Sequence, residues 1–254
     1  SSNKLFHDPR LGYFLSLNAG RINDSKSLSL FSSGGLTTWI AAELLKAGEI
    51  DGVIHVGGDG IQNDGRLFNY VLSESLDQLY ARTKSRYYAV EFSKVLEQMR
   101  GNGKRYAFIG VPCFVKAVRL LCQQDKTLSH QIAYSLALVC GHMKSSSFAE
   151  LLAWQVGVEP SELGKIDFRV KDPARPSNQY SISAWDSKSQ STHTSPNNIL
   201  YGSNWGHAFF QLKACDFCDD VMGETADVSL GDAWLPQYES FWGGTNVIIC
   251  RNKR

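Results

Sequence analysis

The chain lacks any long hydrophobic run. Its longest apolar stretches, such as residues 136–140, fall far short of the roughly 20 residues a membrane-spanning helix needs, so no such span is expected. It also lacks an excess of charge of either sign. With 26 Lys and Arg against 25 Asp and Glu, a net charge of +1 and no basic stripe, it has no electrostatic footprint for nucleic acid or for an anionic membrane. Small molecules and proteins are the expected partners. The opening Ser1-Ser2-Asn3-Lys4-Leu5 has none of the charged-then-apolar layout of a secretory signal, so a reducing cytoplasm is the expected compartment. Ser1 in place of a start methionine, and Arg254 directly after an apolar run, lead us to expect further segments at both ends.

Several catalytic signatures are absent as well. There is no G-x-S-x-G and no H-E-x-x-H, which leaves hydrolase and zincin readings without an anchor. Gly57-Gly58-Asp59-Gly60 does not meet the G-x-G-x-x-G spacing, and Gly101-Asn102-Gly103-Lys104 lacks the first glycine of a P-loop. No internal repeat or long linker is visible.

What is present is enough apolar sequence, 43%, to bury the core of one large domain. Residues 1–30 mix aromatic and polar positions without a period and read as a lead-in segment; residues 31–254 read as the main domain, with further sequence expected beyond its C-terminal end. Leu36, Ile40, Leu44 and Ala47 mark one face of a helix that Gly48 closes. Residues 50–56 and 67–72 read as strands paired like a hairpin, 76–80 and 92–99 as helices, and 105–110 as a buried strand. A helical pattern resumes over 115–122, and 132–139 is a second apolar strand. Residues 145–156 read as a helix, 166–170 and 180–185 as shorter strands, and 187–198 as a polar, mobile surface segment. Strands are expected over 226–230 and 245–250. The fold class is therefore mixed α/β, a mixed sheet flanked by helices.

Six cysteines in a long chain without a secretion signal read as thiols or ligands rather than three disulfides. Cys215-Asp216-Phe217-Cys218 is the sharpest local signal, because two thiolates three positions apart across a turn can chelate one metal centre. That is half a site. Cys113 and Cys140, each at the end of an apolar strand and beside Pro112 or Gly141, are the candidates for the other half. Zinc competes for the same four ligands, and a redox dithiol competes for the C-x-x-C pair alone. Two ligands carried singly on core strands suit an embedded electron-transfer cluster better than a structural zinc site. His142 and His207 are left out of the ligand set, Cys122 and Cys250 read as core, and Lys116 reads as a solvated lysine on its helix. Ser32-Ser33-Gly34-Gly35 ahead of Leu36 and Thr37 has the form of an anion-binding helix entry, or simply of an N-cap. Asp232 and Trp234, at a strand end, could line a cofactor pocket or form a packed turn.

In their order along the chain these pieces resemble the beta-subunit family of coenzyme F420 hydrogenases and dehydrogenases, whose relatives include 7-hydroxymethyl chlorophyll a reductase. The matching motifs are Ser32-Ser33-Gly34-Gly35, Ser85-Arg86-Tyr87-Tyr88, Gly110-Val111-Pro112-Cys113, Val139-Cys140-Gly141-His142, Cys215-Asp216-Phe217-Cys218-Asp219-Asp220, and residues 226–234 through Gly231-Asp232-Ala233-Trp234. The resemblance implies an oxidoreductase in which residues 32–37, with Asp232 and Trp234, cradle FAD. It also implies that Cys113, Cys140, Cys215 and Cys218 hold a 4Fe-4S cluster nearby. Electrons would pass between a hydride donor such as reduced coenzyme F420, or ferredoxin, and a redox partner protein or small-molecule acceptor. Departures from the family pattern at Val111, Phe114 and the Cys140-Gly141-His142 order leave the cysteines intact but alter the pocket lining. The family's cysteine-rich, ferredoxin-like segment is absent from this sequence, so a second cluster would belong to another segment or chain. The alternatives are a zinc-stabilised binding module and a family member recruited to polysaccharide biosynthesis.

Overall fold

The computed structural model describes residues 4–58 and 65–253. Residues 1–3, 59–64 and 254 lie outside the described set, and with them Asp59 and Gly60 of the glycine loop. In chain order the elements are β1 (Phe6–Asp8), β2 (Gly12–Phe14), β3 (Ser16–Gly20), α1 (Leu36–Lys46), β4 (Gly52–Gly57), β5 (Asn69–Ser73), α2 (Leu76–Ala81), α3 (Ser93–Met99), β6 (Tyr106–Gly110), α4 (Pro112–Gln124), α5 (Lys126–Gln131), β7 (Ile132–Leu138) and α6 (Ser146–Gln155). They continue with β8 (Leu163–Val170), β9 (Ser181–Asp186), β10 (Ser191–Pro196), β11 (Val228–Asp232), α7 (Pro236–Glu239) and β12 (Asn246–Cys250).

A seven-stranded mixed sheet in the order β3-β12-β11-β7-β6-β4-β5 forms the centre. Its middle strands β4, β6, β7 and β11 run parallel, and antiparallel partners close both sides. Strand β6 is buried at every position, as a parallel strand covered on both faces must be. Its side chains divide by the strand period of two. Tyr106 and Phe108 pack with Val95, Met99, Val115 and Val118 of α3 and α4, whereas Ala107 and Ile109 pack with Leu36, Ala41 and Leu79 of α1 and α2. Helices therefore flank both faces. A smaller antiparallel sheet, β10-β9-β8, packs against α6 and the Leu67–Phe68 segment through Phe168, Ile182, Leu152 and Phe148. Among the described residues no helix is long and apolar enough to cross a membrane.

Several segments differ from the sequence reading. Residues 4–30 carry three strands, and β3 joins the large sheet by pairing with β12. The polar stretch 187–198 contains β10, which pairs with β9 over six residues as an edge strand. Helix α4 begins at Pro112 rather than Val115, because proline is well tolerated at the first helical position. Cys113 is thus in the first turn of a helix. The short helix α5, capped by the Asp125 carboxylate, has no counterpart in the sequence reading.

His55 on β4 is buried and within 2.8 Å of the Ser73 hydroxyl on β5. Burial, reinforced by the positive charges of Arg82 and Arg86, pulls its pKa from 6.5 down to about 4. The unfolded chain binds this proton more readily, so the stability that the neutral imidazole contributes is complete above pH 6.5 and is lost as the pH falls toward 4. The loss expected from this group is about 3 kcal/mol. Urea unfolding of the native chain and of His55→Gln at pH 7 and pH 4.5 should show a steeper decline for the native chain. Parallel declines would remove His55 from the account.

Candidate functional site

Two regions contain the residues that the sequence singles out. The first lies at the carboxyl ends of β6 and β7. These strands are parallel neighbours, with Gly110 opposite Ala137. Cys113 and Cys140 each follow three residues after that pair, so the register carries them out of the same end of the sheet. The C-x-x-C turn arrives from far along the chain. A bridge between Lys144 and Gln211, with the Leu212 N–H donating to the Met143 carbonyl at 3.1 Å, fastens residues 143–144 to the approach to Cys215. Beyond the turn, the Cys140 N–H donates to the Val221 carbonyl at 3.1 Å. Cys215 itself is in a 3-10 turn, Lys213–Phe217, and the Cys218 N–H closes back on the Cys215 carbonyl at 3.2 Å.

The four thiols fall within electrostatic reach of one another. The Cys140 thiol is pushed up to about 12, by burial first and then by Cys113, Cys215 and Cys218. Burial also raises the Cys113 thiol; the Phe114 N–H opposes this, and Cys218 and Cys215 add to it. Two local features aim backbone N–H groups at these sulfurs. Cys113 sits at the positive N-terminal end of α4, and the Met143 N–H donates to Cys215 Sγ at 3.3 Å. Among the described residues, no group of three or more His, Cys, Asp or Glu side chains is close enough to hold a single metal ion. The thiols thus share a neighbourhood without converging on one point. Cys113 and Cys218 are exposed and Cys140 and Cys215 half-buried, while Phe217, between the paired cysteines, is 89% exposed. Lys116 is no free lysine: its Nζ lies 2.8 Å from Asp219, which joins α4 to the far side of the C-x-x-C turn. His142 stacks on Trp205 at 4.8 Å, and its buried Nε2 has no hydrogen-bond partner among the described residues.

The second region surrounds the Ser32-to-Leu36 loop. Gly35 caps α1 with φ of 81°, a left-handed conformation that favours glycine. Both glycines are also needed by packing within the chain. A Cβ on Gly34 would meet Arg21 Cβ and Asn246 Oδ1 at 2.9 Å, and one on Gly35 would meet the Phe31 ring at 2.8 Å. The Leu36 N–H donates to Asn246 Oδ1 at 3.2 Å, Ser32 Oγ accepts from the Ser85 N–H at 2.7 Å, and Ser33 Oγ donates to the Thr245 carbonyl at 3.3 Å. Thr37 is in the first turn of α1.

Next to this loop stand buried cations that the sequence reading did not single out. Lys171 Nζ donates to three carbonyls from three separate segments: Leu28 at 2.8 Å, Ser33 at 2.8 Å and Gly243 at 2.7 Å. Burial, then the charges of Arg169 and Lys84, pull its pKa down to about 7, while Asp232 opposes them. Arg169 is 3% exposed and its Nη1 donates to Asp232 at 2.7 Å. Burial works against the guanidinium charge, but Asp232 and the nearby Tyr87 and Tyr180 outweigh it and hold the pKa above the usual arginine range. The guanidinium also lies over the rings of Tyr180 and Trp234, at 4.9 and 5.4 Å. Its buried Nε has no partner among the described residues, which leaves one donor for an incoming acceptor. Asp232 therefore neutralises a cation, and Trp234 covers it with a half-exposed ring. The signal in the sequence was two basic residues at alternate positions of a strand end, Arg169 and Lys171, beside a motif that already contained Asp232.

Comparison with known proteins supplies the family. The model for the coenzyme F420 hydrogenase/dehydrogenase beta subunit N-terminal region matches residues 18–97, and that for its C-terminal region matches residues 103–254. No curated protein matches the chain. Among solved structures, a chain of the F420-reducing [NiFe] hydrogenase complex from Methanosarcina barkeri, studied by xenon derivatization, has the same fold. Its TM-score is 0.70 at 20% identity, over 98% of this chain and 78% of that one. With both halves matched in order, the chain belongs to the coenzyme F420 hydrogenase/dehydrogenase beta-subunit family and is an oxidoreductase of that family.

Proposed function

We propose that the chain is a flavin- and iron–sulfur-dependent electron-transfer subunit. In this reading Cys113, Cys140, Cys215 and Cys218 hold a 4Fe-4S cluster, and residues 32–37 with Asp232 and Trp234 receive FAD. The observation that carries the reading is the gathering of four thiols, from two adjacent strand ends and a distant C-x-x-C turn, into one electrostatic neighbourhood. When bound, a flavin exchanges two-electron hydride chemistry for the single electrons a cluster accepts.

The chain's own residues divide the remaining work. The α4 N-terminus and the Met143 N–H face Cys113 and Cys215, and Cys140 is partly screened from water by the Cys215 turn. Exposure of Cys113 and Cys218 leaves one edge of the site open to a redox partner protein or a ferredoxin-like domain. On the flavin side, Lys171 holds the loop at three carbonyls, and the Arg169 Nε offers a buried donor to a ligand acceptor. The hydride donor in this reading is reduced coenzyme F420 or a comparable small molecule, and membership of a hydrogenase and dehydrogenase family supports it.

Anaerobically purified protein should show flavin bands and a broad absorbance that dithionite bleaches; a colourless, zinc-bearing protein would sink the reading. Serine at Cys113, Cys140, Cys215 or Cys218 should each cut iron content, whereas Cys122→Ser and Cys250→Ser should keep iron and act through packing. Equal iron loss from all six folded variants would disprove the ligand assignment. The loop is better probed at Lys171 than at Gly34 or Gly35, whose substitution disturbs packing directly. Lys171→Met should strand three carbonyls, destabilise the chain by about 2–3 kcal/mol and lower flavin stoichiometry. Full flavin content in a folded but destabilised Lys171→Met protein would separate the loop from flavin binding.

A further inference from the structure

The four thiols differ in how their segments are tied together. Ahead of Cys215, the Leu212 N–H donates to the Met143 carbonyl, which fixes the turn to the segment that follows Cys140. Past Cys218, the Cys140 N–H donates to the Val221 carbonyl, and the Asp220 carboxylate accepts the Gly223 N–H at 2.7 Å. These anchors join the C-x-x-C turn to the exit of β7 and to its own continuation. Cys113 belongs to a different element, α4, and it is exposed, as Cys218 is. An ion pair connects these two segments: Lys116 Nζ lies 3.0 Å from Asp219 Oδ1 and 2.8 Å from Oδ2. Lys116 stands one turn after Cys113 on the same face of α4, and Asp219 directly follows Cys218. The next link from α4, Arg119 to the Thr225 carbonyl and to Asp227, reaches residues beyond the turn.

We propose that Lys116 and Asp219 are positioning residues, a clasp that holds the Cys218 segment to the Cys113 helix at the open edge of the cysteine site and so sets how long bound iron is retained. This rests on the cluster reading above. The pair is exposed, with 43% and 74% of the two side chains accessible, and a pair of that kind adds little to global stability. Its effect is local. With the clasp open, Cys218 can swing away from α4, and a thiolate that has let go of iron rebinds it less often before a competing ligand takes it. A clasp needs both partners, so removing either one acts in the same sense. A through-space effect of charge on an anionic cluster acts otherwise: loss of the lysine and loss of the aspartate would then pull in opposite directions.

The test is the rate at which anaerobically purified protein releases iron to the ferrous chelator ferrozine, with dithionite present. Lys116→Met and Asp219→Asn should each speed release by about 2- to 5-fold while the urea unfolding midpoint stays unchanged. The exchanged pair, Lys116→Glu with Asp219→Lys, should return the rate to the native value. At roughly 1 M salt the native rate should rise to that of the single variants, because charges there are screened over about 3 Å. Shifts of opposite sign in the two single variants, native rates in both, or an exchanged pair no better than either would overturn the clasp and leave the cluster reading standing. Native protein that holds no iron would overturn the cluster reading and the clasp with it.

Discussion

The parallel pairing of β6 with β7 is the constraint on which the rest depends. Both strands are covered by helices, so their backbone groups must find each other rather than water, and a slip of one residue would turn buried side chains to the opposite layer. With Tyr106 and Phe108 committed to one layer and Ala107 and Ile109 to the other, the register has a single solution. Everything that emerges at the carboxyl end of the sheet inherits it. Cys113 enters a helix at once and Cys140 enters an extended segment, yet both start from the same rung. Asp227 reinforces this frame. Its Oδ2 accepts the Ser135 N–H at 2.8 Å and Arg119 Nη2 at 2.8 Å, so one carboxylate ties β7, α4 and the approach to β11 together.

The second organising element is a concentration of positive charge in the interior. Burial, with the charge of Arg169, lowers the pKa of both Lys84 and Lys171, whereas Asp232 holds that of Arg169 up despite burial, and each cation has a specific oxygen facing it: Asp167, Asp232 and three carbonyls. Buried cations held in this way are costly, and their pairing is more useful for fixing geometry than for adding net stability. The geometry they fix is that of the Ser32-to-Leu36 loop, tied from behind by Lys171 and from the side by Ser85.

Much of this was legible in the sequence. The apolar strands at 105–110 and 132–139, the helix from Leu36 and the exit of Cys113 and Cys140 from the same end of the sheet followed from runs whose burial is written in their composition. Strands β3 and β10 were not legible, because Ser16–Gly20 and Ser191–Pro196 are polar and become strands only through their partners β12 and β9. The same reason hid the interior cations. Arg169 and Lys171 look like surface charges beside a polar loop, and only the packing of β8 against the end of β11 brings Asp232 to meet them. Lys116 fell between these cases: its exposure was foreseeable, but its pairing with Asp219 depends on where a turn a hundred residues away comes to rest.

The placement of β3 bears on how the chain can be shortened. The match to the family's N-terminal model begins at residue 18, inside a strand that runs Ser16–Gly20. A version trimmed to that boundary would keep nearly all of the recognisable family sequence and lose Ser16 and Leu17, two of the five residues of the outermost strand of the large sheet. The backbone edge of Ile249 and Cys250, at the apolar end of β12, would then be left without its partner. Such an edge is a template for pairing with another molecule, so the trimmed protein would be prone to aggregate for a reason unrelated to its cofactors.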